Sequence, residues 1–136
     1  MRISISEFTN PTTQTVAQNG TILFSSNTYP KDVYAYSSNG TINIKVPGIY
    51  EVLAVINVLG TADGDVGIQM MKGSNAAQNT LGTASLAASG DYGNIAIMDI
   101  VNVSPTAAAN GYAAISFQAN AATSIANATC IIKRVG

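Results

Sequence analysis

The sequence predicts an all-β sandwich, and three observations carry that prediction. Turn-forming pairs recur at short intervals: Asn10-Pro11, Asn19-Gly20, Asn39-Gly40, Pro47-Gly48, Asp63-Gly64, Lys72-Gly73 and Asn110-Gly111. The segments between them are short, rich in Ile, Val, Thr and Tyr, and lack a sustained 3.6-residue period. Within "NGTINIKVPGIYEVLAVINVLG" the even positions Ile42, Ile44, Val46, Tyr50, Val52, Ala54, Ile56 and Val58 form one apolar face, broken only at Gly48. About ten such segments in 136 residues make a sandwich or jelly roll closed by two sheets.

The elements follow in order. Residues 1–12 read as an N-terminal arm and 13–136 as a single jelly-roll domain. In the arm, Ile3, Ile5 and Phe8 are apolar among Arg2, Ser4, Ser6 and Thr9, a mixture suited to anchoring on a partner's sheet edge. The alternative is that Ile3 and Ile5 form an extra strand of the jelly roll itself. Asn19-Gly20 and Asn39-Gly40 predict type I′ hairpins, pairing 13–18 with 21–25 and 33–37 with 41–46. Further strands are expected at 48–58, 66–72, 82–88, 95–103, 113–119 and 128–135. The Ala-rich runs 83–89 and 106–110 have helical propensity, but their Gly and Ser neighbours argue against helix.

Two strands carry more apolar surface than one core needs. The odd positions of 48–58 include Leu53 and Val55, and beside Ile95, Ile97, Val101 and Val103 lie Ala96, Met98 and Ile100 on the opposite face. An antiparallel sandwich buries one face of each sheet and wets the other. Either long loops of the same chain cover the second face, or another copy does. Large apolar patches are rare on monomers, so Leu53, Val55, Ala96, Met98 and Ile100 are assigned to an interface in a cyclic homo-oligomer.

Composition excludes several functions. Six basic and seven acidic residues nearly cancel, giving no electrostatic footprint for nucleic acid or an anionic membrane. There is no histidine, which removes the commonest general base and metal ligand and rules out a Ser-His-Asp arrangement. Cys130 is the only cysteine, so no internal disulfide forms, and it reads as a small buried hydrophobe. The N-terminus has no secretory apolar core, and no stretch approaches the length of a membrane span, so synthesis and folding in a cytoplasm are expected. No enzymatic activity and no cofactor are assigned.

Asp63-Gly64-Asp65 is the one carboxylate cluster. Its spacing matches no complete calcium loop, so it is read as a solvated hairpin loop facing a ligand or partner, with no metal assigned. Tyr92, flanked by Gly90, Asp91, Gly93 and Asn94, belongs to the same partner-facing group. Tyr29, Tyr34, Tyr36 and Tyr112 are contact or packing residues. Lys133-Arg134 reads as a charged sheet edge that discourages strand pairing.

The run "GTINIKVPGIYEVLAVINVLGTADGDVGIQMMKGSN" resembles the central stretch of the complement-type globular head and tumour necrosis factor superfamily. Pro47-Gly48, the triplet Gly48-Ile49-Tyr50, the hydrophilic loop 60–67 and the basic turn Lys72-Gly73 carry the resemblance. The flanks "TQTVAQNGTILFSS" and "ATCIIKRVG" are similar to its bacterial and phage branch, trimeric heads on virion fibres, capsid decorations and spore-surface chains. The resemblance implies a ten-stranded jelly roll in a tight homotrimer whose axis is lined by apolar side chains. Some relatives bind calcium near the trimer apex, which leaves Asp63 and Asp65 open to that test. No collagen-like Gly-x-y repeat precedes the domain, so a free-standing head with a short arm is expected. The function implied is a phage virion structural protein, a capsid decoration or head-fibre head on the virion surface, bound to a shell protein. The alternative is a receptor-binding head that recognises host surface carbohydrate.

Overall fold

The computed structural model describes residues 4–60, 64–73, 75–86, 92–109 and 113–136. The described residues form strands β1 (Ile5–Asn10), β2 (Gln14–Val16), β3 (Ser26–Thr28), β4 (Tyr34–Tyr36), β5 (Ile42–Ile44), β6 (Gly48–Leu59), β7 (Gly64–Lys72), β8 (Asn75–Leu86) and β9 (Tyr92–Val103), then helix α1 (Pro105–Ala109), β10 (Ala114–Ala119) and β11 (Thr123–Arg134). One sheet has the order β3-β1-β11-β6-β9, with β2 also paired to β11, and the other β4-β5-β10-β7-β8. Every pairing is antiparallel. This is the expected all-β jelly-roll sandwich.

The continuous alternation of 42–58 spans both sheets. β5 lies in the five-stranded sheet and β6 in the six-stranded one, so the chain changes layers at Pro47-Gly48 while its even residues keep facing the core. Gly48 is required there. Its φ is +155°, and a Cβ would stand 2.8 Å from the Gly136 carbonyl oxygen and 2.6 Å from Arg134 Nε. Arg134 closes the same corner, donating to the Pro47 carbonyl at 3.0 Å and the Gly136 carbonyl at 3.2 Å.

Residues 5–10 take the alternative to an anchoring arm, an extra strand of the jelly roll. β1 is an integral strand between β11 and β3, and Phe8 is fully buried. Phe8 therefore serves the core, not an anchor. Its ring stacks on Tyr29 at 5.3 Å and lies 6.0 to 6.5 Å from Phe24, Tyr34 and Tyr36. The misreading has a physical cause. The inward phase is Ser4, Ser6, Phe8 and Asn10, and Ser6 is tolerated inside because its hydroxyl donates to the Ile132 carbonyl at 3.1 Å. Ile5 takes the outward phase and Ile3 lies outside the described residues.

Neither Asn-Gly pair adopts the type I′ geometry. Asn19 has φ +63° without a positive φ at Gly20, and Gly40 has φ +91° without one at Asn39. At Gly40 the pattern is a turn closed by a left-handed glycine: Gly40 N–H donates to Ser37 and Ser37 N–H to Thr41. The β4–β5 hairpin forms as expected. The 13–25 hairpin does not: β2 pairs with β11, whereas Thr21 bridges to Gln118 of β10, so the Asn19 turn carries the chain between sheets. The Gln14 amide ties the crossing together by donating to the Leu23 carbonyl and accepting from its N–H.

The second Ala-rich run is helical after all. Ser104 Oγ accepts from Ala107 N–H at 3.1 Å and Pro105 occupies the first turn, a cap and start that outweigh the discouraging neighbours. Residues 83–86 stay in strand β8.

The core explains the titration behaviour. The Tyr34 hydroxyl is buried and donates to the Ser4 and Ile132 carbonyls, and burial pushes its pKa up to about 12 while the Ser6 hydrogen bond acts against that rise. Burial also raises Tyr50 and holds the Cys130 thiol well above its ordinary range. Unfolded tyrosine releases its proton near 10.0, below the folded value, so the unfolded state binds fewer protons in that window. Stability is therefore expected to hold up to about pH 10 and to fall as pH rises toward 12. Denaturant midpoints across that range check this, and Tyr34→Phe should make the decline shallower.

Candidate functional site

The outer face of the six-stranded sheet is the surface this fold builds with most purpose. Cross-strand register lays its side chains in rows from β1 through β11 and β6 to β9: Ile5, Lys133, Glu51 and Ile100; then Glu7, Ile131, Leu53 and Met98; then Thr9, Thr129, Val55 and Ala96. A fourth row is Asn127, Asn57 and Asn94, and a fifth is Ser124, Leu59 and Tyr92. The inward neighbours of the same strands, among them Val52, Ala54, Ile56, Ile97, Cys130 and Ile132, fill the core. Period-two alternation thus sets both faces at once.

All five residues assigned to an interface lie together on this face. Met98 is 68% exposed, Ile100 54% and Leu53 37%; Ala96 is exposed and Val55 half-buried. Ile131, half-buried and flanked by Glu7 and Leu53, belongs to the same apolar block. The sequence reading missed it because its partners come from strands distant in the chain. The charges in these rows are Glu7, Glu51 and Lys133, at the block's margin.

The asparagine row was also missed. Asn94 Nδ2 donates to Asn57 Oδ1 at 2.7 Å, and Asn57 Nδ2 donates to Asn127 Oδ1 at 2.6 Å. Three side chains from three strands form one hydrogen-bonded ladder beside the apolar block. No local pattern announces it, since register alone aligns residues 57, 94 and 127.

The other candidate residues belong to different elements. Tyr92 is 73% exposed at the far end of the same face. Asp65 lies in the other sheet, at the start of β7, where its Oδ1 accepts from Ser85 Oγ at 2.7 Å. Asp63 and Tyr112 lie outside the described residues. Of the proposed anchor, Ile5 is 58% exposed on the first row and Phe8 is internal. Among the described residues no group of three or more His, Cys, Asp or Glu side chains could hold a metal ion.

Concavities also mark the surface of the described residues. One of about 110 Å³ lies between the end of β9, α1 and the start of β10, lined by Val101, Val103, Ala107, Ala113 and Ile115 with Lys72 nearby. Lys72 Nζ is 3.6 Å from Asp99 Oδ2, an ion pair across the sandwich edge. The second, about 420 Å³ and open, lies at the end of β1, bounded by Thr9, Asn10, Pro11, Asn127, Ala128 and Thr129. Among the described residues no helix is long and apolar enough to cross a membrane. What the outer face offers is apolar contact area edged by amide hydrogen-bonding groups.

No family model and no curated protein matches the chain. Solved structures do match its fold. The globular domain of zebrafish complement 1qA protein is similar at 7% identity over 97% of this chain and 96% of that one, with a TM-score of 0.67. Murine APRIL at pH 8.0 is similar at 7% identity over 98% of this chain and all of that one, TM-score 0.70. The phage PRD1 vertex protein P5 is similar at 13% identity over 98% of this chain and 97% of that one, TM-score 0.63. At such identities the likeness is one of architecture: the chain has the jelly roll shared by tumour necrosis factor ligands and complement-type heads.

Proposed function

We propose that this protein is a non-enzymatic homotrimeric head displayed on the surface of a phage particle, a capsid decoration or head-fibre head held by a shell protein of the virion. The observation that carries the reading is the apolar block of Leu53, Val55, Ala96, Met98, Ile100 and Ile131 on a sheet face that no other part of the described chain covers. A second and third copy of the chain would cover it. Its mix of small and medium side chains suits close packing, and cyclic symmetry satisfies every copy alike. The likeness to a phage vertex protein supports the virion setting.

Light scattering on the purified protein is expected to give three times the 14.0 kDa of one chain. A monodisperse monomer would sink the reading. Imaging of intact particles then locates the head, with density at the shell expected.

A second reading has one observation in its favour. Tyr92, 73% exposed, presents an aromatic surface of the kind that stacks on sugars, so the head would recognise host surface carbohydrate on a tail or baseplate. Selective signal on a glycan array supports recognition, and a silent array supports decoration.

A further inference from the structure

We propose that the thioether of Met98 is an oxidation site through which a peroxide controls assembly: the free subunit is oxidised there to the sulfoxide, the sulfoxide disfavours the trimer, and the trimer shields the sulfur. The proposal rests on the trimeric reading above and names a modification that regulates that same face.

Met98 stands apart from the other sulfur-bearing residues because of where its strand puts it. β9 turns Ile95, Ile97, Val101 and Val103 into the core and sends Met98 outward with Ala96 and Ile100. Met98 is 68% exposed. Leu53 of β6 lies opposite it on one side, and β9 is the edge of its sheet, so no strand of that sheet stands on the other. A small oxidant therefore reaches the sulfur directly from solvent. Met70 is fully buried, and Met71 is half-buried on the other sheet. Cys130 is fully buried as well, and burial keeps its thiol protonated, the form that reacts poorly with peroxide. Among the described residues Met98 is the sulfur that an oxidant meets first.

The reaction needs nothing else from the chain. A lone pair on the Met98 sulfur attacks one oxygen of hydrogen peroxide, the O–O bond breaks, and the proton of the transferred oxygen passes to the departing hydroxide, which leaves as water. Sulfur loses two electrons and the peroxide gains them, giving the sulfoxide. No general base takes part, so a chain without histidine loses nothing here.

The product changes what the face can bury. A thioether packs as a flexible apolar group, whereas a sulfoxide carries an oxygen that requires a hydrogen-bond donor. The side chains around Met98 on this face are Leu53, Val55, Ala96, Ile100 and Ile131, and none of them donates. In the free subunit water satisfies the oxygen, and the fold is undisturbed. When a second copy covers the block that water is lost, and the cost recurs at each of three contacts. Covering the block also keeps the oxidant from the sulfur, so assembly and oxidation oppose each other.

Hydrogen peroxide on the purified full chain tests this, with two variants. Peptide mass spectrometry is expected to find one oxygen added at Met98 ahead of Met70 and Met71 in protein dilute enough to dissociate, and slower addition at Met98 where the protein is trimeric. Light scattering should show the oxidised protein dissociating at a concentration about tenfold higher or more than the untreated protein, with unchanged circular dichroism. Met98→Leu keeps the apolar volume without the sulfur and is expected to stay trimeric through the same treatment, although its remaining methionines meet the same oxidant. Met98→Gln brings an uncharged polar group of similar length and should assemble as weakly as oxidised wild type with no peroxide present.

Full oxidation of Met98 with no change in the dissociation concentration overturns the proposal alone. So does equal loss of the trimer by peroxide-treated Met98→Leu, oxidation of Met70 or Met71 ahead of Met98 in the dissociated protein, or an equal rate at Met98 in the dissociated and trimeric states. A wild type that is monomeric before any peroxide is added overturns the trimeric reading and the proposal with it.

Discussion

Phe8→Ala is expected to destabilise the fold by about 3–5 kcal/mol, because it deletes a fully buried aromatic ring and leaves a cavity that rigid neighbours cannot close. The ring has Tyr29 stacked on one side at 5.3 Å, and Phe24 and Tyr34 approach it edge-on at 6.4 and 6.5 Å. These neighbours come from the segment around β3 and from the opposite sheet, so Phe8 joins both layers to the N-terminal strand. Single domains are stable by about 5–15 kcal/mol, so the loss is a large share of the total. Ile5→Ala is the control: Ile5 is one strand step outward from the buried phase and 58% exposed, so its change should stay within about 0.5 kcal/mol. Urea midpoints separate the two. A Phe8→Ala midpoint equal to wild type would mean that β1 does not pack as described.

Much of the architecture was legible because local alternation is a direct image of a half-buried strand. Residues 48–58 carried it without interruption, and there the core face and the outward Leu53 could be read from one stretch, whereas the layer change at Pro47-Gly48 emerges only from the strand pairing. What failed was information held between strands. Ser4 and Ser6 looked like solvent positions, yet Ser6 is inside because a carbonyl of β11 accepts its hydroxyl. A pattern based on hydrophobicity alone assigns the wrong phase to such a strand. Asn19-Gly20 looked like a hairpin turn, but its flanks bond to different sheets, a choice made by β10 and β11 about a hundred residues later.

The candidate site divides along the same line. Leu53 and Val55, or Ala96, Met98 and Ile100, can be found separately as apolar residues on the wrong face of a strand. That they form one patch depends on the β6–β9 register, which sets Leu53 opposite Met98 and Val55 opposite Ala96. The register of β11 then adds Ile131 to the block and Asn127 to the ladder. Asp65 lies near the start of β7 in one sheet and Tyr92 opens β9 in the other, and β8 links the two starts: Ser85 pairs with Asp65, and Ala84 and Leu86 flank Gly93.

Leu53→Asp is expected to abolish assembly while leaving the single chain folded. Leu53 sits in the middle of the apolar block, between Ile131 and Met98, and is 37% exposed in the isolated subunit, so a carboxylate there can remain hydrated when the subunit is alone. In a trimer the same carboxylate would be taken out of water three times, with no cation facing it among the rows around it except Lys133, which already lies opposite Glu51. An unpaired buried charge costs about 3–5 kcal/mol, which corresponds to about two to four orders of magnitude in association at each contact. Light scattering should give the mass of one chain at concentrations where wild type is trimeric, and circular dichroism should still report a β-sheet protein. Leu53→Asn offers the graded case, a polar group of similar size without the charge, expected to weaken assembly less. A Leu53→Asp protein that stays trimeric would move the interface off this face of the sheet, whereas one that fails to fold would mean that β6 depends on Leu53 within the subunit, against its exposed position.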